Sequence, residues 1–306
     1  MKTRNVCALF LTVLSGIAFS VAAAKSQFMV ITWGGNSPEW NQILHLSGVR
    51  IGCSDASASC LKEVDQIAAS QHVSSVFLAI ALNPSRVASD AATYGSVAGT
   101  HPSLFEVGFD DFVSQAQKTN LDPAALSSLL ESVASNLKAR NSKLQMGITL
   151  YQDQLDSGQL DRLQLSDSAR RSVDYVHLFP HYRKERKPVS EYIARAKQVF
   201  PNAKVMLGVY AYDRREYLPC AIGDQARCSS EEEVNLFDQN LRGDLQIASS
   251  GEAAGIEFFP GNFGDEDAWK GWNNPRACKQ GEKSVCVQNT VAMRAKIRDE
   301  MRSAGQ

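Results

Sequence analysis

Past its first two dozen residues, the 306-residue chain has no apolar run long enough to cross a bilayer. It also has no tract of one charge: 32 Lys and Arg face 33 Asp and Glu, and the formal net charge is −1. Nucleic-acid or anionic-membrane binding is therefore not expected. No G-x-G-x-x-G follows an apolar run and no P-loop is present, so no nucleotide cofactor is expected, nor any other cofactor. A G-x-S-x-G nucleophile elbow is missing too, and nothing positions a Ser/His/Asp triad. Histidine is scarce, with five in all. None lies near a cysteine pair, which argues against zinc.

The long apolar stretch that does exist lies at the N-terminus. Lys2 and Arg4 precede an apolar segment from Val6 to Val21 and then Ala22-Ala23-Ala24. This reads as a secretory signal peptide over residues 1–24, giving a secreted or periplasmic protein. Thr12, Ser15, Gly16 and Ser20 interrupt the run, which disfavours an uncleaved anchor. Residues 25–306 then form one domain. Six cysteines remain after Cys7 is removed, in three close pairs: Cys53 with Cys60, Cys220 with Cys228, and Cys278 with Cys286. Six cysteines allow about 15 connectivities. The simplest is three local disulfides pinning short polar loops in an oxidising compartment.

Apolar runs alternate with helical patterns along the rest of the chain. Eight runs read as strands: 28–33, 49–53, 75–82, 104–110, 144–151, 174–180, 204–211 and 255–259. The run VRIGC (49–53) is the weakest of them. Ser37-Pro38 opens a helix running to about Leu46, Asp122-Pro123 opens another, and Ser230 with Glu233 forms a capping box for a helix reaching about Ser249. Residues 83–102, rich in small and turn-forming types, read as a long loop. Strands alternating with helices predict a parallel α/β fold, and eight strands fit a (β/α)8 barrel. With seven, an open doubly wound sheet would fit instead.

In such folds chemistry gathers where the strands end. VGFDDF (107–112) ends in Asp110 and Asp111. If the strand continued, these two would face opposite sides, and Asp111 would serve equally well as a helix cap. Glu106 shares the inward face of Asp110 but lies deeper, where an ionised carboxylate requires a partner. Asp213 ends GVYAYD, and Glu257 lies in the last strand. Asp110, Asp213 and Glu257 could converge at one mouth and supply the two carboxyl groups that glycoside hydrolysis needs. Trp33, Tyr151, Tyr182, Tyr210, Tyr212 and Phe259 are candidate platforms for sugar rings, with Asp153, His181 and Arg183 as polar contacts. His177 and His181 would lie about 13 Å apart on a strand, too far to share a metal ion. The run Arg183 to Lys187 reads as a solvated face.

A strand ending in aspartates, a late Tyr-x-Tyr-Asp and a final strand with an acid and aromatics resemble secreted bacterial TIM-barrel glycoside hydrolases, including the chitinase-like group. That group's D-x-x-D-x-D-x-E signature is represented only by E-V-G-F-D-D, without the final glutamate. The resemblance implies Asp110 and Asp213 as candidate acids and an oligo- or polysaccharide as the partner. The leading expectation is a two-carboxylate glycoside hydrolase using Asp110 and Glu257, with Asp213 as an alternative or orienting acid. The rivals are a glycan-binding barrel without turnover, and a metal-dependent hydrolase with Asp110, His181 and Asp213 as ligands.

Overall fold

The computed structural model describes residues 28–184, 186–213, 229–263 and 283–304. Eight parallel strands close into a barrel in sequence order: β1 Met29–Trp33, β2 Gly48–Gly52, β3 Ser75–Ile80, β4 Leu104–Phe109, β5 Gln145–Tyr151, β6 Tyr175–Phe179, β7 Lys204–Tyr210 and β8 Gly255–Phe259. The weak run VRIGC is thus a true strand. Its register with β1 and β3 completes the cylinder. Around the barrel pack α1 Pro38–Leu44, α2 Ala58–Gln71, α3 Val87–Val97, α4 Phe112–Lys118, α5 Pro123–Lys138, α6 Gln152–Asp156, α7 Asp167–Arg171, α8 Val189–Val199, α9 Ser230–Ser249 and α10 Lys283–Ser303. Among the described residues no helix is long and apolar enough to cross a membrane.

Local chemistry explains most boundaries. Ser37 and Asp122 cap α1 and α5 with their side chains, each followed by proline in the first turn. The cap of α9 is Ser229 rather than Ser230, and its hydroxyl accepts from the Glu232 amide. Glu233, expected to complete a capping box, is instead buried against Arg183. Residues 83–102 are not a loop: they contain α3. Its buried face, Val87, Ala91 and Tyr94, has helical spacing, but small residues give it little contrast. Gly95 lets α3 approach the backbone of α5, where a Cβ would collide with the Asn136 carbonyl.

Outward-facing strand residues such as Val30, Val49, Leu78, Val107 and Ile148 form the core with the helices. The inward face differs. On β6, Tyr175, His177 and Phe179 all point inward, because strand side chains alternate. Tyr175 joins an apolar plug with Ile31, Phe77 and Met206, and Phe179 joins an aromatic group with Tyr210 and Tyr212. His177 lies between them and marks a polar layer. Glycine makes room for that layer, since a Cβ on Gly147 would overlap the Glu106 carboxylate. Gly147→Ala is expected to lower unfolding stability by about 1–3 kcal/mol through this overpacking, measured by urea unfolding.

The pair Cys53–Cys60 forms a disulfide, closing the loop between β2 and α2. Residues 1–24, Cys220, Cys228, Cys278 and the side chain of Cys286 lie outside the described residues.

Candidate active site

The C-terminal ends of the strands surround a cavity of about 390 Å³. This is within the range of small-ligand sites. Trp33 of β1, Tyr151 of β5, Phe179 of β6, Tyr210 of β7 and Phe259 of β8 give it aromatic walls. Trp33 meets Phe259 edge-on with ring centroids 5.7 Å apart, and Tyr151 stacks on His181 at 4.3 Å and 22°. Tyr212 also lines it, beyond the end of β7. The carboxylates facing the cavity are Asp110, Asp111 and Asp153.

Asp110 and Asp111 do not point to opposite faces. β4 ends at Phe109, and Asp111 adopts a left-handed conformation with φ 47°. That turn brings both side chains to the cavity. Asp111 occupies the cap position of α4 but makes no side-chain capping hydrogen bond; its carboxylate accepts from the Tyr151 hydroxyl instead. Burial pushes the Asp110 carboxyl above the usual range. Arg50 acts against burial, Asp111 and Glu257 reinforce it, and a hydrogen bond from Thr149 moderates it. Burial also drives the Tyr151 phenol upward, so its hydroxyl stays a donor to Asp111. Asp153 behaves differently. Burial raises it, but the hydrogen bond and charge of His181 outweigh that and hold it low. His181 Nδ1 lies 2.9 Å from its Oδ1.

Beneath the cavity runs a row of buried charges, of which Glu106, His177 and Glu257 were named from the sequence but Arg50 was not. Arg50 Nη1 reaches both oxygens of Glu257 at 3.3 Å, and Nη2 donates to Thr149 Oγ1 at 2.9 Å. His177 Nδ1 reaches Glu257 Oε2, one of the oxygens that Arg50 contacts, at 2.5 Å. His177 Nε2 lies 3.0 Å from both oxygens of Glu106. Arg50, Glu106, His177 and Glu257 are all 0% exposed. Glu106 thus has the partner its depth demanded. Arg50 was hidden inside the apolar run VRIGC, and His177, inside YVHLF, was considered only as half of a metal pair. Their signal was a charged type at an inward-facing position of a buried strand. Trp33 covers Arg50, its ring centroid 4.9 Å from the guanidinium carbon.

His177 has a folded pKa of about 9 against an ordinary 6.5. Burial opposes the charged form, but Glu106 above all, and Glu257, reverse that against a smaller opposition from Arg50. A raised histidine stabilises the fold fully below its unfolded value and loses that contribution as pH rises through the folded one. Unfolding free energy is therefore expected to fall between pH 6.5 and 9 by roughly 3 kcal/mol at most, checked by denaturant titrations across that window.

The other sequence candidates lie elsewhere. Glu257 is below the floor and not on the cavity wall. Asp213 is 2% exposed and accepts from Asn289 at 2.7 Å, while its amide donates to Thr290, so it is tied to α10. Arg183 is buried against Glu233, and its Nη2 donates to the carbonyls of Tyr210 and Tyr212 at 3.1 and 2.9 Å. It positions those rings and does not itself line the cavity. Tyr182 lines a separate small pocket beside Arg186 and Asp244. The run 183–187 is not simply a solvated face, because Arg186 pairs with the buried Asp244 at 2.7 Å. Asp213 does not share a wall with Asp110 and His181. Among the described residues no group of three His, Cys, Asp or Glu has a metal-holding arrangement.

No protein-family model matches the chain, and no curated protein matches its sequence. Solved structures do match in shape. A GH113 β-1,4-mannanase is 10% identical with a TM-score of 0.52, over 90% of this chain and 98% of that one. The exo-β-1,4-mannosidase Op5Man5 from Opitutaceae bacterium strain TAV5 is 10% identical with a TM-score of 0.54, over 91% and 60%. The likeness is one of fold. It shows a (β/α)8 barrel of the kind those glycoside hydrolases use. A β-glucuronidase from Parabacteroides merdae matches over 72% of this chain but only 28% of its own length, at 12% identity and a TM-score of 0.46.

Proposed function

We propose that the protein is a glycoside hydrolase acting on an oligo- or polysaccharide, with Asp110 and Asp111 as its reacting carboxylates. One observation carries this reading: two carboxylates of unlike character face one aromatic-walled cavity at the barrel mouth. Asp110, biased toward its protonated form, is the general acid that protonates the leaving oxygen. Asp111, held by Tyr151, is the base or nucleophile. Unlike environments around paired acids assign such roles. The aromatic walls supply apolar faces for sugar C–H groups.

Glu257, expected from the sequence to be a reacting acid, has no access to a ligand and acts through Arg50. Asp213 serves to anchor the end of β7. Export belongs to the same proposal and is supported by the Cys53–Cys60 disulfide.

The test is a panel of aryl glycosides and plant and microbial glycans, scored for released reducing ends, with Asp110→Asn and Asp111→Asn as controls. Turnover that both substitutions abolish supports the reading. Tight glycan binding by calorimetry with no release by the wild type would replace it with a non-catalytic glycan-binding barrel.

A further inference from the structure

We propose that His181 is a specificity-determining contact of the cavity: Asp153 fixes a proton on its Nδ1, so that Nε2 presents a lone pair to a hydroxyl of the bound sugar. Asp153 is then a positioning residue and not a third reacting acid. The inference rests on the reading of the cavity as a glycan site.

The imidazole is held on one face and at one nitrogen. It follows β6, and its ring lies on that of Tyr151 at 4.3 Å and 22°. The ring of Tyr210, on β7, stands 6.0 Å away. Nδ1 is 2.9 Å from Asp153 Oδ1, an oxygen shut off from solvent. An ionised carboxylate can only accept, and two lone pairs would repel at that distance. Nδ1 therefore carries a proton whether the ring is neutral or charged. In a neutral imidazole with one nitrogen committed as donor, the other is the acceptor. A carboxylate that fixes the tautomer in this way is a known device for aiming the far nitrogen at a ligand. Among the described residues Nε2 has no hydrogen-bond or ion-pair partner. The side chain is 19% exposed where it lines the cavity, so that nitrogen is left to a ligand.

Its place gives the contact a meaning. Tyr151 joins His181 to Asp111: its ring carries the imidazole, and its hydroxyl donates to the carboxylate. A hydroxyl read by Nε2 thus belongs to a sugar unit beside the reacting group. Across the barrel from β5 and β6 stand Trp33 of β1 and Phe259 of β8. A sugar resting its C–H groups on those rings turns hydroxyls toward His181.

Long-range nitrogen NMR of the ligand-free protein, labelled at histidine, reads which ring nitrogen carries the proton. The His181 signals are those lost in His181→Gln. With the ring neutral, the wild type is expected to show a protonated Nδ1 and a bare Nε2. Asp153→Ala is expected to return the ring to the Nε2-protonated form that free imidazole prefers. A wild type already in that form, or an Asp153→Ala variant still held in the other, overturns the inference. The second arm uses the same aryl glycosides and glycans. His181→Phe keeps a flat ring on Tyr151 and loses the acceptor. It is expected to raise KM by about 3–10-fold, the loss of one neutral hydrogen bond, with a smaller change in kcat. His181→Gln, whose amide reaches the place of Nε2, should recover most of that loss. An unmoved KM in His181→Phe overturns the contact; if that variant does not fold, the tautomers of the wild type and Asp153→Ala decide. The two readings fail separately. Glycan binding that weakens in His181→Phe by calorimetry, with a bare Nε2 but no turnover, removes the hydrolase and leaves the contact standing. Turnover by a wild type whose Nε2 is protonated in the neutral ring does the reverse. A wild type that binds no glycan overturns both.

Discussion

Asp110→Asn is expected to lower kcat on a cleaved glycan by roughly 10²–10⁴-fold, the usual contribution of a positioned general acid. The fold should survive unharmed. Burial raises the Asp110 carboxyl above its ordinary 3.8, so in the native state its ionised form is unfavourable. A carboxyl raised on folding stabilises the protein when protonated, and that contribution disappears as pH rises through the folded value. Asparagine is neutral at every pH, so it fits this buried place without the cost that ionisation carries there. The melting temperature of Asp110→Asn at pH 7 is therefore expected to equal or exceed that of the wild type, while turnover collapses. Thermal unfolding and a reducing-end assay on the same preparation check both halves. Unimpaired turnover would remove Asp110 from the chemistry.

Arg50→Met should have the largest effect on stability. Glu257 would keep its charge at 0% exposure with only His177 as a counter-ion, and Thr149 would lose a donor. Breaking one side of a buried pair in this way costs about 3–5 kcal/mol. In a domain of this size that corresponds to a melting temperature lower by on the order of 10 °C. Replacing both members, Arg50→Met with Glu257→Met, should recover much of the loss, because an apolar pair carries no unpaired charge. Chemical unfolding of the two variants separates the outcomes. A single variant within about 1 kcal/mol of the wild type would mean that the row is solvated and not locked.

How much of this could be read from the sequence depends on the kind of signal. The barrel was legible, because buried parallel strands are short apolar runs and their spacing left room for helices. Even the doubtful VRIGC belonged to it. Helix α3 was not legible, since its buried face of Val87, Ala91 and Tyr94 is interleaved with Ala88, Ser89, Asp90, Ala92 and Thr93, small types that read as a loop and give the face little contrast. At the site, the aromatic walls and Asp110 were visible as strand ends. The floor was not. Arg50 binds Glu257 across 207 positions of sequence and His177 binds Glu106 across 71, so no local pattern records either pair. Depth along the strand did predict that Glu106 needed a partner, but not which one. The placement of Asp111 turned on one backbone angle, and the alternation of a continuing strand would have set it opposite Asp110.

That backbone angle bears on how this position can vary. Residue 111 answers to two filters at once: it must tolerate a left-handed conformation, and it must present an acceptor to Tyr151. Asparagine and glycine pass the first, since the left-handed region favours them, and β-branched types fail it. Aspartate meets both and also brings the carboxyl group that the proposed chemistry uses. In a library randomised at 111, variants that merely fold should span Asp, Asn and Gly, while those that retain turnover should contract to aspartate. The width of the tolerated alphabet then measures backbone handedness, and its narrowing under selection for turnover measures chemistry.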